Sequence, residues 1–122
     1  MKSGIGFEQG EILFVPFPFT NLASSKKRPV LILSRTEYNA KSLDFVCCGI
    51  TSNIKKSTHS VMVQNKDLLS GFLPKPSLIK ANTIFTLEKS IALGSIGRVN
   101  SNTMEKVKKV VLDLIGIMHP TY

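Results

Sequence analysis

The sequence predicts a mainly β protein with a single α-helix, a small twisted β-barrel onto which a C-terminal helix is laid. Three observations carry that expectation. Short apolar runs rich in Val, Ile and Phe recur between turn residues through most of the chain, as β-strands do. Helical periodicity appears only in the last segment, from Asn102 onward. Finally, 122 residues with 43% hydrophobic and 20% charged side chains suffice for one core and fall short of two ordinary domains. The chain therefore reads as one domain, residues 1–122. At this size folding buries roughly two-thirds of the unfolded surface, so a core can form without disulfides or metals.

Glu11–Phe17 (EILFVPF) is the first expected strand, with Pro16 and Pro18 confining its end to a sheet edge or a strand exit. Thr20–Lys27 is polar, small and charged, which predicts a surface loop. Pro29–Ser34 (PVLILS) follows as a strand apolar on both faces, then Asp44–Ser52 (DFVCCGITS) and the shorter Ser60–Gln64. Lys66–Ser70 has the composition of one helical turn closed by Gly71. Pro74 and Pro76 bracket an extended approach to the strand Ser77–Leu87, and Ile91–Val99 is a further strand. Gly94 and Gly97 within it predict a bulge or a close backbone approach. At the end, Asn102 and Glu105 have capping-box spacing, and Met104, Val107, Val111, Leu114 and Met118 form one helical stripe. Gly116 and Pro120 mark its stop.

Sixteen basic against eight acidic residues leave a formal net charge of +8, which points to a polyanionic partner, nucleic acid before a membrane surface. The longest uncharged stretch, Ile12–Ser25, contains Pro16 and Pro18 and cannot span a bilayer as a helix. Glu8 and Glu11 stand where a signal peptide needs an apolar block, so a cytoplasmic protein is expected. Cys47 and Cys48 are adjacent in a strand, where successive side chains face opposite ways; they read as reduced packing residues. His59 and His119 have no Cys or carboxylate at ligand spacing, so neither a metal site nor any other cofactor is expected. Phosphate-cradling glycine loops are also missing.

One pair of segments combines the right chemistry. Lys26-Lys27-Arg28-Pro29 leads into the second strand, and Pro29 holds Arg28 in an extended backbone. Gly49-Ile50-Thr51-Ser52-Asn53 ends the third strand with two hydroxyls and an amide. In an antiparallel pair these two ends share one rim, where a planar guanidinium and a Thr hydroxyl can grip a phosphodiester together. A basic loop beside an ordinary polar strand end is the alternative.

These residues carry a resemblance. GEILFVPFPFTNLASSKKRPVLILS, GITSN, and GFLPKPSLIKANTIFTLEKSIALGSIGRV, in that order and followed by a terminal helix, resemble the MazF/PemK family of type II toxin–antitoxin toxins. The similarity runs from Gly10 to Gly116. It implies an SH3-like barrel of the CcdB/PemK/MazF kind that forms a homodimer and cleaves single-stranded RNA at specific sequences without a metal. The attacking group would be the substrate's 2′-hydroxyl, leaving a 2′,3′-cyclic phosphate and a 5′-hydroxyl. A cognate antitoxin with an acidic tail would neutralise it, and operator DNA would be bound only by the toxin–antitoxin complex.

Carried over position by position, the resemblance makes Arg28 and Thr51 the catalytic pair. Phe19, Thr20, Lys26, Lys27, Ser52, Asn53, Lys55, Lys56, Lys80 and Asn82 are the expected RNA-binding residues around them. Phe19 is the stacking candidate, whereas Phe17 and Phe85 read as core; Lys55 and Lys56 are equally explained by a solvated turn. Two departures stand out. The loop before Arg28 has no carboxylate, and Asn82 occupies a position where some relatives carry Asp. Asn82 either positions a phosphate or base edge or is a structural strand residue. A non-catalytic module on the same barrel, a degenerate or gyrase-directed toxin, is therefore the competing function.

Overall fold

The computed structural model describes residues 4–17, 26–55 and 57–116. Of the expected RNA-binding residues, Phe19, Thr20 and Lys56 lie outside them, as do Met118 and Pro120. The elements run β1 (Glu11–Phe17), β2 (Lys26–Ile32), α1 (Thr36–Lys41), β3 (Asp44–Thr51), β4 (Ser60–Val63), β5 (Leu68–Gly71), β6 (Ser77–Glu88), β7 (Gly94–Val99) and α2 (Ser101–Ile115). Single 3-10 turns at Asn65–Asp67 and Lys89–Ile91 precede β5 and β7.

All seven strands join one sheet in the order β4-β6-β3-β2-β1-β7-β5, every pairing antiparallel. The two edge strands, β4 and β5, are consecutive in the chain and joined only by Gln64–Asp67. A link that short forces the sheet to curl until its edges approach, which gives the half-barrel form. Both faces of the central strands are covered. Ile12, Leu31, Cys48, Ile50 and Ile79 face α2 with Met104 and Val107, whereas Leu13, Val15, Val30, Ile32, Phe45 and Cys47 face a second cluster closed by Leu87 and Ala92. Double-sided burial explains why β2 lacks the polar alternation of a half-exposed strand. Cys47 and Cys48 are unpaired and buried on opposite faces. Burial pushes the Cys47 thiol up to about 12 and the Cys48 thiol higher still, so both stay protonated packing groups.

Two expectations need correction, and one helix fills a stretch that carried none. Lys66–Ser70 is not a helical turn: the 3-10 turn lies at Asn65–Asp67, and Leu68–Gly71 is edge strand β5, paired with β7. Tertiary pairing overrides a weak local preference there. Helix α1 fills a stretch that carried no reading, and its Asn39 is fully buried, with its amide donating to the Phe7 and Ser34 carbonyls. The cap of α2 is Asn100 and not Asn102: the Asn100 side-chain oxygen accepts from the Thr103 N–H at 2.8 Å, and Asn102 is exposed inside the helix. Asn100→Ala should cost about 1 kcal/mol and lower the melting temperature by roughly 4–8 °C, while Asn102→Ala changes little. Thermal unfolding followed by circular dichroism separates the two; equal effects would return the cap to Asn102.

Candidate active site

Arg28 and Thr51 reach one rim because of strand register. Val30 pairs with Gly49 across β2 and β3, so two residues outward along each strand Arg28 is level with Thr51. Directly opposed residues share a face, and Gly49 is in turn opposite Lys80 on β6. Arg28, Thr51 and Lys80 consequently border one shallow cavity of about 200 Å3, whose walls include Phe17, Val30, Thr83 and Phe85. Gly49 keeps it open. A side chain there would grow into the depression, its Cβ 3.6 Å from Thr83 Cγ2.

Three of the cavity's polar groups have a partner that holds them. Thr51 Oγ1 accepts a hydrogen bond from the Asn53 N–H at 3.1 Å, the local side-chain-to-backbone bond that Ser and Thr favour at strand ends. That bond occupies a lone pair and leaves the hydroxyl proton to be donated. The Arg28 guanidinium lies 5.7 Å from the Phe17 ring centroid, a cation–π contact that limits the swing of the side chain. Thr83 donates to the Asn82 side-chain oxygen at 3.3 Å. That pair sits where β6 shifts register: Lys80 pairs with Gly49 and Ile84 with Cys48, so Ala81–Thr83 bulge out of the ladder.

The cavity is therefore a hydrophobic-walled depression with two cations and two hydroxyls at its edge. Its described lining contains no carboxylate and no imidazole. A group of that composition concentrates anions and can bind a phosphate through charge-assisted bonds. Among the described residues, no cluster of three His, Cys, Asp or Glu side chains is placed to hold a metal ion. His59, expected to be solitary, pairs with Asp113 of α2 at 3.0 Å.

The expected RNA-binding residues divide into three groups. Lys80 joins Arg28 and Thr51 in the cavity wall. Lys26 and Lys27 are exposed and belong to β2, which begins earlier than the composition of the loop suggested; Lys26 shares the face of Arg28 and Lys27 has the opposite one. Ser52, Asn53, Lys55 and Asn82 are exposed and do not line the cavity. Phe17 and Phe85, read as core, are cavity walls instead, Phe17 being 39% exposed. Thr83 carried no reading at all, since a bulge three residues deep leaves no mark in composition.

Residues 8–115 match the family model described as PemK-like, MazF-like toxin of type II toxin-antitoxin system. No curated protein matches the chain. Solved structures do: an endoribonuclease in complex with its cognate antitoxin from a mycobacterial species is 22% identical, with 93% of this chain and 98% of that one covered and a TM-score of 0.73. A chain of a MazE–MazF crystal structure from Deinococcus radiodurans is 20% identical over 90% and 95% of the two chains, TM-score 0.69. The Mycobacterium tuberculosis toxin MazF-mt6 is 18% identical over 86% and 95%, TM-score 0.68. At such identities the structures speak to the fold, a curled antiparallel sheet with a C-terminal helix, and the fold agrees with the sequence match over nearly the whole length. The chain belongs to the PemK-like, MazF-like toxins of type II toxin–antitoxin systems.

Proposed function

We propose that the chain is a sequence-specific endoribonuclease that cleaves single-stranded RNA without a metal ion, with Arg28 and Thr51 as its catalytic pair. The observation that carries the reading is their convergence, with Lys80, on one cavity from three different strands. In the reaction the substrate's 2′-oxygen bonds to phosphorus and the bond from phosphorus to the 5′-oxygen breaks. The products are a 2′,3′-cyclic phosphate and a 5′-hydroxyl. Negative charge grows on the nonbridging oxygens as attack proceeds. Arg28 presents two parallel N–H donors to that charge, Thr51 donates its hydroxyl proton, and Lys80 adds a cation from the facing strand. These bonds strengthen toward the transition state and so accelerate the step. Guanidinium groups do not deprotonate in proteins, so the proton of the 2′-hydroxyl passes to solvent or to a phosphate oxygen, and the departing 5′-oxygen takes up a proton from solvent to become the 5′-hydroxyl.

Around the cavity, Lys26, Lys27 and Lys55 extend a basic track for the RNA backbone, joined by Ser52, Asn53 and Asn82. The family membership and the antitoxin complexes of its structural neighbours support the rest of the assignment. It is one toxin domain over residues 1–122, a cytoplasmic homodimer neutralised by an antitoxin with an acidic tail, and it contacts operator DNA only within that complex. No helix among the described residues is long and apolar enough to cross a membrane.

A second reading has one observation in its favour: the described cavity lining has no carboxylate or imidazole to take a proton. On that reading the same cavity binds RNA or a protein and cleaves nothing. One experiment decides between them. A long mixed single-stranded RNA is incubated with the full chain in excess chelator and its new ends are mapped. Discrete 5′-hydroxyl ends are expected and would also give the recognition sequence. RNA that stays bound and intact would establish the binding module.

A further inference from the structure

Two residues of this chain go against the preferences of backbone and helix, and they meet in one contact. His59, at the entry to β4, has φ +54°, a left-handed backbone that is uncommon outside glycine. Asp113 puts a carboxylate in the last turn of α2, where the helix carbonyls already concentrate negative charge. The His59 ring donates from Nε2 to Asp113 Oδ2 at 3.0 Å, since a carboxylate can only accept. The donated proton offsets the charge at the helix end, and the anchored ring holds the turn. Local rules broken in pairs, each compensating the other, are found where a position matters to function.

The contact reaches the candidate active site through the backbone. The His59 carbonyl accepts from the Ala81 N–H at 3.0 Å, and the adjoining pair, Ser60 with Lys80, opens the β4–β6 ladder. Ala81 is the first residue of the β6 bulge and is fully buried. Lys80 before it and Thr83 after it both stand in the cavity wall. Within the bulge β6 has left its pairing with β3, so the bond to His59 holds the segment from the β4 side. A change at His59 is therefore passed to Lys80 and Thr83, relative to Arg28 on β2 and Thr51 on β3.

We propose that His59 and Asp113 are positioning residues. Their bond fixes the left-handed turn at His59 and, through the Ala81 N–H, sets where the bulge presents Lys80 and Thr83 to the phosphate. Neither residue lines the cavity. A pair whose carboxylate is 79% exposed adds little to global stability, so its effect is local and not a loosening of the whole fold. The consequence for RNA cleavage rests on the ribonuclease reading; the consequence for the Ala81 N–H does not.

Two readouts on the full chain test this. Amide hydrogen exchange at Ala81 should be about fivefold faster in Asp113→Ala, while Leu33, whose N–H donates to the Val46 carbonyl of β3 at 2.8 Å, is unchanged. For cleavage of a short RNA containing the mapped site, kcat should fall about fivefold with KM within about twofold of wild type. The melting temperature should drop by no more than about 4 °C, too little to explain either loss. Asp113→Glu keeps the carboxylate and should restore most of both readouts. His59→Asn tolerates the left-handed backbone but is too short to reach Asp113, so it should match Asp113→Ala, and the double variant should be no worse than either. Glu105→Ala removes an α2 carboxylate that pairs with Lys108 instead and should behave as wild type. Unchanged Ala81 exchange in Asp113→Ala would overturn the proposal. So would a wild-type kcat in Asp113→Ala or His59→Asn, or an equal loss in Glu105→Ala. A wild type that cuts no RNA would defeat the ribonuclease reading, and exchange at Ala81 would still decide whether the bond holds the bulge.

Discussion

Arg28→Ala should abolish most RNA cleavage, lowering kcat by about 10³-fold while KM changes little. The guanidinium stands at the cavity edge with Thr51 and Lys80, and under the proposed mechanism the charge beside it increases as the 2′-oxygen attacks. Losing an interaction made chiefly in the transition state lowers kcat and not ground-state affinity. Thr51→Val removes one hydroxyl donor and should cost about 10²-fold, because a neutral donor contributes less than a charged fork. Arg28→Lys keeps the charge and loses the fork, so its rate should fall between wild type and Arg28→Ala. Folding is no confounder. Arg28 is exposed and its contact with Phe17 is worth about 0.5–1 kcal/mol. Single-turnover cleavage of a short RNA containing the mapped site checks all three. Arg28→Ala cleaving at the wild-type rate, or failing only through weaker RNA binding, would take the catalytic role away from Arg28.

The parts of this site that were legible in the sequence are those set by strand order and local chemistry. Arg28 before Pro29 and Thr51 at a strand end need only an antiparallel β2–β3 pair to meet, and that pair forms. The double-sided burial of PVLILS, the opposite facing of Cys47 and Cys48, and a bulge near Gly97 were readable for the same reason: each depends on residues adjacent in the chain. Features that depend on distant partners were not. Phe17 is apolar and reads as core, yet its place depends on β2, which begins there with exposed Lys26 opposite it. Thr83 enters the cavity through a register shift on β6 that no residue type announces. Leu68–Gly71 becomes a strand because β7 offers it a partner, against its own weak helical leaning. Asn39 is a buried polar hub whose bonds span from Phe7 to Ser34, and nothing in TEYNAK marks it. The cap of α2 was displaced by two residues because Asn100 and Asn102 are equally good caps in isolation and only the end of β7 chooses between them.

Gly71→Ala should be the most disruptive single-methyl substitution in the chain. Gly71 pairs with Gly97 where β5 meets β7, and the two backbones touch. A Cβ on Gly71 would fall onto the Ile96 carbonyl oxygen and within 2.5 Å of Gly97 Cα; one on Gly97 would lie 2.8 Å from Gly71 Cα. Backbone cannot step aside as a flexible side chain can, and Gly71 also has φ +89°, strained for any L-residue. The two costs can be separated on other glycines. Gly94→Ala meets neither: its Cβ has nothing within 4 Å and its φ is not positive, so it should be near neutral. Gly116 has φ +84° with nothing within 4 Å, so Gly116→Ala isolates the conformational term at about 1 kcal/mol. Gly71→Ala adds the collision and should exceed about 3 kcal/mol, lowering the melting temperature by roughly 12 °C or more or preventing folding. Calorimetry on the three variants gives the order. If Gly71→Ala is no worse than Gly116→Ala, the β5–β7 backbones do not approach as described. The pairing that holds β5 on β7 at the edge of the half-barrel would then rest on something other than that close approach.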